Sequence, residues 1–200
     1  MMRKTLDTLI SWTGLVMAAV LVAAGGLLMY ASSFVANNVQ EQLSQQNITM
    51  PAAAALETQA QKDALLQYAG QKMTTGDQAK AFADHYILVH MNAASNNRTY
   101  EEVSGEFLTM SKDPNADQAK VAELGQLRQT LFMGNTLRGL LLNAYAFGTM
   151  GVIAFYAAIG AFVGAAVLLA LGLLGLRHAR TAEDAALAPV VGARTIPQTA

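Results

Sequence analysis

The sequence predicts an all-α membrane protein in which two transmembrane helices flank an extracytoplasmic helical domain. Three observations carry that expectation. Of 200 residues, 53% are hydrophobic and only 14% are charged, too few charges for an ordinary soluble domain of this size. The apolar excess is gathered into two blocks, residues 8–40 and 139–176, that contain no Asp, Glu, Lys or Arg. Roughly 20 apolar residues cross the hydrocarbon layer as a helix, the single-segment structure that satisfies its own backbone hydrogen bonds there, and both blocks exceed that length.

Taken in order, residues 1–9 form a short cytoplasmic N-terminus and residues 10–36 the first span. A cleaved signal peptide is the competing reading of this block, because Arg3 and Lys4 precede it and Ala31, Ser32 and Ser33 are small. Its apolar run is about twice the 7–15 residues of a signal core, which favours a retained helix. The second span covers residues 148–176, and Arg177, His178 and Arg180 follow it. Positive residues on both outer flanks place both termini in the cytoplasm and residues 37–147 outside the plasma (inner) membrane. Residues 177–200 read as a disordered cytoplasmic tail, too short for an output domain.

The extracytoplasmic segment carries eleven acids against seven bases between residues 37 and 137. That balance excludes nucleic acid as a partner and leaves membrane lipid, other membrane proteins or self-association. Cysteine is absent, so no disulfide framework, thiolate metal site or cysteine nucleophile exists.

Within this segment the pattern predicts four helices and no strand. The first runs from Thr49 and Pro51 through Lys72, and Gly76 ends it. Asp77 caps a second, to Ala94, whose core face is Phe82, Tyr86, Val89 and Ala93. Thr99 and Glu102 form a capping box for a third. From Asp117 a longer helix follows, with Val121, Leu124, Leu127, Leu131 and Thr130 inward, and it continues into the second charge-free block. That block, as one helix, measures about 57 Å against a core of about 30 Å. Residues 140–145 therefore pack against the outer domain, with Gly148 and Gly151 at a bend; a re-entrant arrangement is the alternative. Asn47-Ile48-Thr49 and Asn97-Arg98-Thr99 have the form of glycosylation sequons and read as turn and cap residues.

Asp84-His85-Tyr86-Ile87, then His90, then Arg98-Thr99-Tyr100-Glu101-Glu102, then Leu127-Arg128-Gln129-Thr130-Leu131-Phe132 together resemble a family of actinobacterial two-span membrane proteins. Members are often labelled as a subunit of an aromatic ring-opening dioxygenase. The label implies non-haem iron held by two histidines and a carboxylate. This chain has three histidines, and His178 lies at the cytoplasmic end of the second span. His85 and His90 are five positions apart, about 140° around a helix, so they flank the Phe82/Tyr86 stripe instead of converging. A metal there would need Glu101 or Glu106 as well; the reading of the residues is that no cofactor is bound and that both histidines are polar flank residues. No phosphate loop, catalytic triad, zinc-protease helix or paired-carboxylate motif can be assembled.

Gly14 and Ala18 in the first block and Gly160 and Gly164 in the second are spaced for close helix packing. Neither span contains an ionisable residue, which argues against a proton relay or a polar transport path within the chain. The sequence thus points to a non-catalytic accessory or structural subunit of a larger cell-envelope complex, respiratory or transport in kind. A ligand-binding or sensory module is the alternative, with a pocket formed by Tyr68, Tyr86, His90 and Tyr100. A membrane-bound metalloenzyme is the third reading.

Overall fold

The structure, a computed structural model, describes the backbone of residues 2–187 and the side chains of residues 5–181. It is all-helical, and no strand forms among the described residues. The α-helices are α1 (Met2–Gln45), α2 (Gln59–Leu65), α3 (Gly76–Phe82), α4 (Leu88–Ser95), α5 (Tyr100–Met110) and α6 (Gln118–Leu187). A π-helical turn, Ala83–Ile87, joins α3 to α4, and short 3-10 turns occur at Ala53–Ala55 and Leu66–Tyr68. Two compact units result, Met1–Tyr30 with Ala154–Ala200, and Ala31–Ile153.

In the first unit α1 lies antiparallel to α6. Both helices are long and apolar enough to cross a membrane. The hydroxyls of Ser11 and Thr13 donate to the carbonyls of Asp7 and Leu9, one turn back, at 2.7 and 2.9 Å, so they are satisfied within the helix. The inward face of α1 is Ser11, Gly14, Ala18, Leu21, Gly25 and Leu28; that of α6 is Ala154, Ala158, Ala161, Ala165, Leu168, Gly172, Gly175 and Ala179. Steps of three and four alternate on both helices, the 3.5-residue repeat of a left-handed pair. Small residues let the backbones approach closely. A Cβ on Gly25 would stand 2.9 Å from the Phe162 ring, and one on Gly172 would stand 2.9 Å from Leu15 and 3.1 Å from the Ser11 carbonyl oxygen. Apart from Leu21, Leu28 and Leu168, most large side chains face outward, with Trp12 58%, Leu27 72%, Tyr30 72% and Tyr156 67% exposed.

Three of the four expected packing residues lie on this seam. Ala18 is buried, Gly14 opposes the Leu168 carbonyl and Gly164 opposes Leu21, but Gly160 has open space beside it. Four residues turn a helix through about 400°, so a strict four-residue spacing walks off the contact face, whereas alternating threes and fours stay on it.

In the second unit α1 ends at Gln45, and Asn47 reverses the chain in a left-handed conformation (φ 52°). Thr49 then bridges Lys72, flanked by Met50 N–H donating to Gln71 O (2.8 Å) and Met73 N–H to Ile48 O (2.9 Å). A continuous helix from Pro51 to Lys72 therefore does not form; only α2 is α-helical there. Alanine propensity loses to tertiary demand, because Leu56 and Leu65 must both reach the core and Thr58 with Gln61 forms a capping box that starts α2 afresh.

The N-cap of α3 is Thr75, boxed with Gln78, and Asp77 stands in the first turn instead. The π turn inserts a residue and shifts the buried face to Ala79, Phe82, Ala83, Met91 and Ser95, leaving Ala93 exposed. Asn96 and Asn97 are left-handed (φ 54° and 61°), and Thr99 with Glu102 forms the expected capping box of α5. Asp117 accepts from Ala119 N–H at 2.9 Å at the start of α6. Leu124 and Leu131 are buried as expected, whereas Thr130 is exposed.

Two clusters make the core. Val39, Leu43, Met50, Leu56, Leu65, Met73, Phe82 and Leu141 form one; Met91, Val103, Leu124 and Leu131 form the other. Each fully buried Leu or Met contributes about 1.5–3 kcal/mol relative to exposure. Leu141 places the start of the charge-free block of α6 inside the domain core, as its surplus length predicts. The helix runs on through Gly148 and Gly151; a Cβ on Gly151 would stand 3.3 Å from Val35, and one on Gly148 would be in ordinary contact with Gly76 Cα at 3.7 Å. It also runs through residues 177–187, expected as disordered tail, because no Gly or Pro interrupts it before Pro189. Residues 188–200 lie outside the described residues.

Candidate functional site

The most organised polar site surrounds the π turn. Its widened turn is closed by Leu88 N–H donating to Ala83 O, and that same carbonyl accepts from Arg138 Nε of α6 at 3.1 Å. Arg138 Nη2 also contacts Asp84 Oδ1 at 3.1 Å, while Lys80 Nζ reaches Asp84 Oδ2 at 2.7 Å. Lys80 in turn lies 5.4 Å from the centre of the Tyr145 ring. One carboxylate therefore joins two cations from two helices. The hydrogen bond from Lys80, with Arg138 beside it, holds the Asp84 carboxyl below the usual range, against the opposing effect of burial. The same bond raises the Lys80 ammonium above its ordinary value. Both oxygens of Asp84 are engaged, so the group acts as a staple between α6 and the π turn.

An aromatic ladder climbs from this staple. Phe82, buried, stacks on Tyr86 with centroids 4.9 Å apart and planes at 17°, and Tyr86 meets the His90 ring at 4.3 Å. His90 Nδ1 lies 2.7 Å from the Tyr86 carbonyl oxygen. His90 is exposed and His85 half-buried. Among the described residues no group of three His, Asp or Glu side chains comes together that could hold a metal ion.

Of the residues named for a ligand pocket, the three tyrosines divide between the two core clusters. Tyr68 and Tyr86 pack against the first core cluster; Tyr100 packs against the second, 6.0 Å from Phe132. Glu101 is exposed, and Glu106 is held by Arg98 Nη1 at 2.7 Å. Arg98 itself folds back on the turn, its Nε donating to Ser95 O at 3.2 Å. Glu102 is held low by the Thr99 backbone and hydroxyl of the capping box. Arg128 donates to Ser104 Oγ at 3.1 Å and lies over Phe107. The residues that carry the family resemblance thus serve largely as caps and turn anchors.

In the first unit a cleft of about 300 Å³ is lined by Asp7, Ser11, Gly14, Gly172, Gly175 and His178, and a second of about 400 Å³ by Ala18, Val22, Phe162 and Leu169. Their glycine and alanine walls follow from the small-residue seam. Sequence reading missed Lys80, Asp84 and Arg138. A signal for them was present: Lys80 and Asp84 are one helical turn apart, and Arg138 is the last charge before residues 139–176.

Comparison with protein-family models, with curated proteins and with solved structures returned no match.

Proposed function

We propose that the chain is a two-span protein of the plasma (inner) membrane, with both termini cytoplasmic and residues 37–147 outside. In this reading it serves as a non-catalytic accessory or structural subunit of a larger cell-envelope assembly. The observation that carries the proposal is the distribution of side chains on α1 and α6: mostly small residues inside the pair, most large apolar and aromatic residues outside it. A water-soluble helix pair would be arranged the other way round.

The aromatic residues support a definite depth. Trp12 and Tyr30 stand 18 residues apart on α1, about 27 Å of rise, close to the roughly 30 Å of a hydrocarbon core. Gly25 opposes Phe162, so in the antiparallel register Tyr30 comes level with residues 156–157 of α6, where Tyr156 is equally outward. Trp and Tyr favour the two interfaces, and Arg177 and Arg180 extend past the Trp12 end. The accessory role is supported by the outer unit, where Asp84 pairs with Lys80 and Arg138, and Arg98 separately with Glu106.

A reporter enzyme inserted at Asn96 tests the topology; activity only outside is expected, and a cytoplasmic signal overturns it. A C-terminally tagged chain extracted in mild detergent should bring down a stoichiometric partner set. Recovery of the chain with nothing but itself refutes the subunit role.

A further inference from the structure

The uncharged part of α6 begins at residue 139, well before Tyr156, so it supplies more apolar helix than a span consumes. On this surplus stretch and just before it, Met133, Thr136, Leu140, Asn143, Phe147 and Met150 follow at alternating steps of three and four, and all six are exposed. Met133 is 60%, Leu140 56%, Phe147 55% and Met150 57% accessible, while the other side of the helix is spent on its own domain, where Leu141 is fully buried. Alternating threes and fours are the spacing of a seam between two helices, and four large apolar side chains in one such row call for a cover.

We infer that this row pairs with the same row of a second copy of the chain, the two α6 helices parallel and related by a two-fold axis along the membrane normal. The inference rests on the membrane reading above, because copies in one bilayer share an orientation and equal helices then meet parallel. In a two-fold contact each residue meets its own counterpart, so the surface must be complementary to itself. This one is. None of the six residues is charged, and their neighbours along the row, Leu137, Gly139, Ala144 and Ala146, are uncharged too, so no like charges meet. The nearest base, Arg138, is turned to Asp84 and the Ala83 carbonyl. The Asn143 amide and the Thr136 hydroxyl both donate and accept, so each can bond its own copy, and a lone amide in an apolar seam sets register and strand number. Gly139 has open space beside it, leaving room for close approach. A foreign helix would require none of this symmetry.

Because the chain has no cysteine, single variants Leu140→Cys and Phe147→Cys report on this seam alone. Asn135→Cys, exposed but off the row, is the control. Mild oxidation in native membranes should convert L140C and F147C to a disulfide-linked product of twice the chain mass and leave N135C monomeric. Two differently tagged copies should co-purify, and L140D combined with F147D should abolish their co-recovery while leaving the protein in the membrane fraction. Equal dimer from N135C, or none from the seam variants while they remain in the membrane, overturns the inference and spares the membrane reading. Recovery of the unsubstituted chain in the soluble fraction overturns both.

Discussion

Gly76 opens α3 where it meets α6, and replacing it with alanine sets two effects of known size against each other. Alanine favours a helix over glycine by up to about 1 kcal/mol, less in the first turn. Its Cβ, however, would stand 2.9 Å from Tyr145 Cα and 3.1 Å from the Ala144 carbonyl oxygen. Both obstacles are backbone of α6, which cannot swing aside as a side chain would, and overpacking of this kind costs about 1–3 kcal/mol. The clash wins, and Gly76→Ala should lose about 1–2 kcal/mol net. Gly105, within α5, has nothing near its absent Cβ. There only propensity acts, and Gly105→Ala should gain about 0.5–1 kcal/mol. For a chain this long each kcal/mol moves the melting temperature by about 2–4 °C. Thermal melts of detergent-solubilised protein followed by far-UV circular dichroism should therefore move in opposite directions for the two variants. An unchanged or raised melting temperature for G76A, with G105A raised, refutes the close approach of α3 to α6.

Two further perturbations address the staple and the seam. Asp84 is held below the ordinary carboxylate range, so its contribution to stability is present above that range and is lost as the pH falls through the depressed folded value. Asp84→Asn should cost about 1 kcal/mol at neutral pH and nothing once both proteins are strongly acidified, and parallel stability curves for the two proteins across that pH window refute the staple. Gly172→Leu should cost about 1–3 kcal/mol by colliding with Leu15 and the Ser11 carbonyl, whereas Gly160→Leu should be neutral; equal effects in a detergent melt count against the seam.

The all-helical class and the two apolar helices were legible because charge-free blocks and a capping box such as Thr99 with Glu102 are local signals. Residues 51–72 misled because alanine content speaks for an isolated helix, while the fold needs Leu56 and Leu65 turned inward from a chain returning to pair Thr49 with Lys72. The π turn was invisible: its extra residue leaves no mark in composition, yet it moves Met91 inside and Ala93 out. Gly160 lies off the α1–α6 seam because that seam follows the 3.5-residue repeat through Ala158, Ala165 and Gly172, which a four-residue motif does not track. Arg138 could have been singled out, but its partner Asp84 is 54 positions away, beyond any periodic pattern.

The glycine contacts of α1 with α6 decide what kind of motion the pair can transmit. A seam made only of alanine and glycine would look alike after a shift of seven residues and would let one helix slide along the other. Here the Phe162 ring rests where Gly25 has no side chain. A slide of one heptad would bring the Ala18 methyl to that spot and force the ring to another rotamer, and Leu15 over Gly172 resists a slide in the same way near the other end. The pair thus favours one register: tilting or rotating as a body leaves these contacts intact, whereas sliding one helix along the other has to repack them.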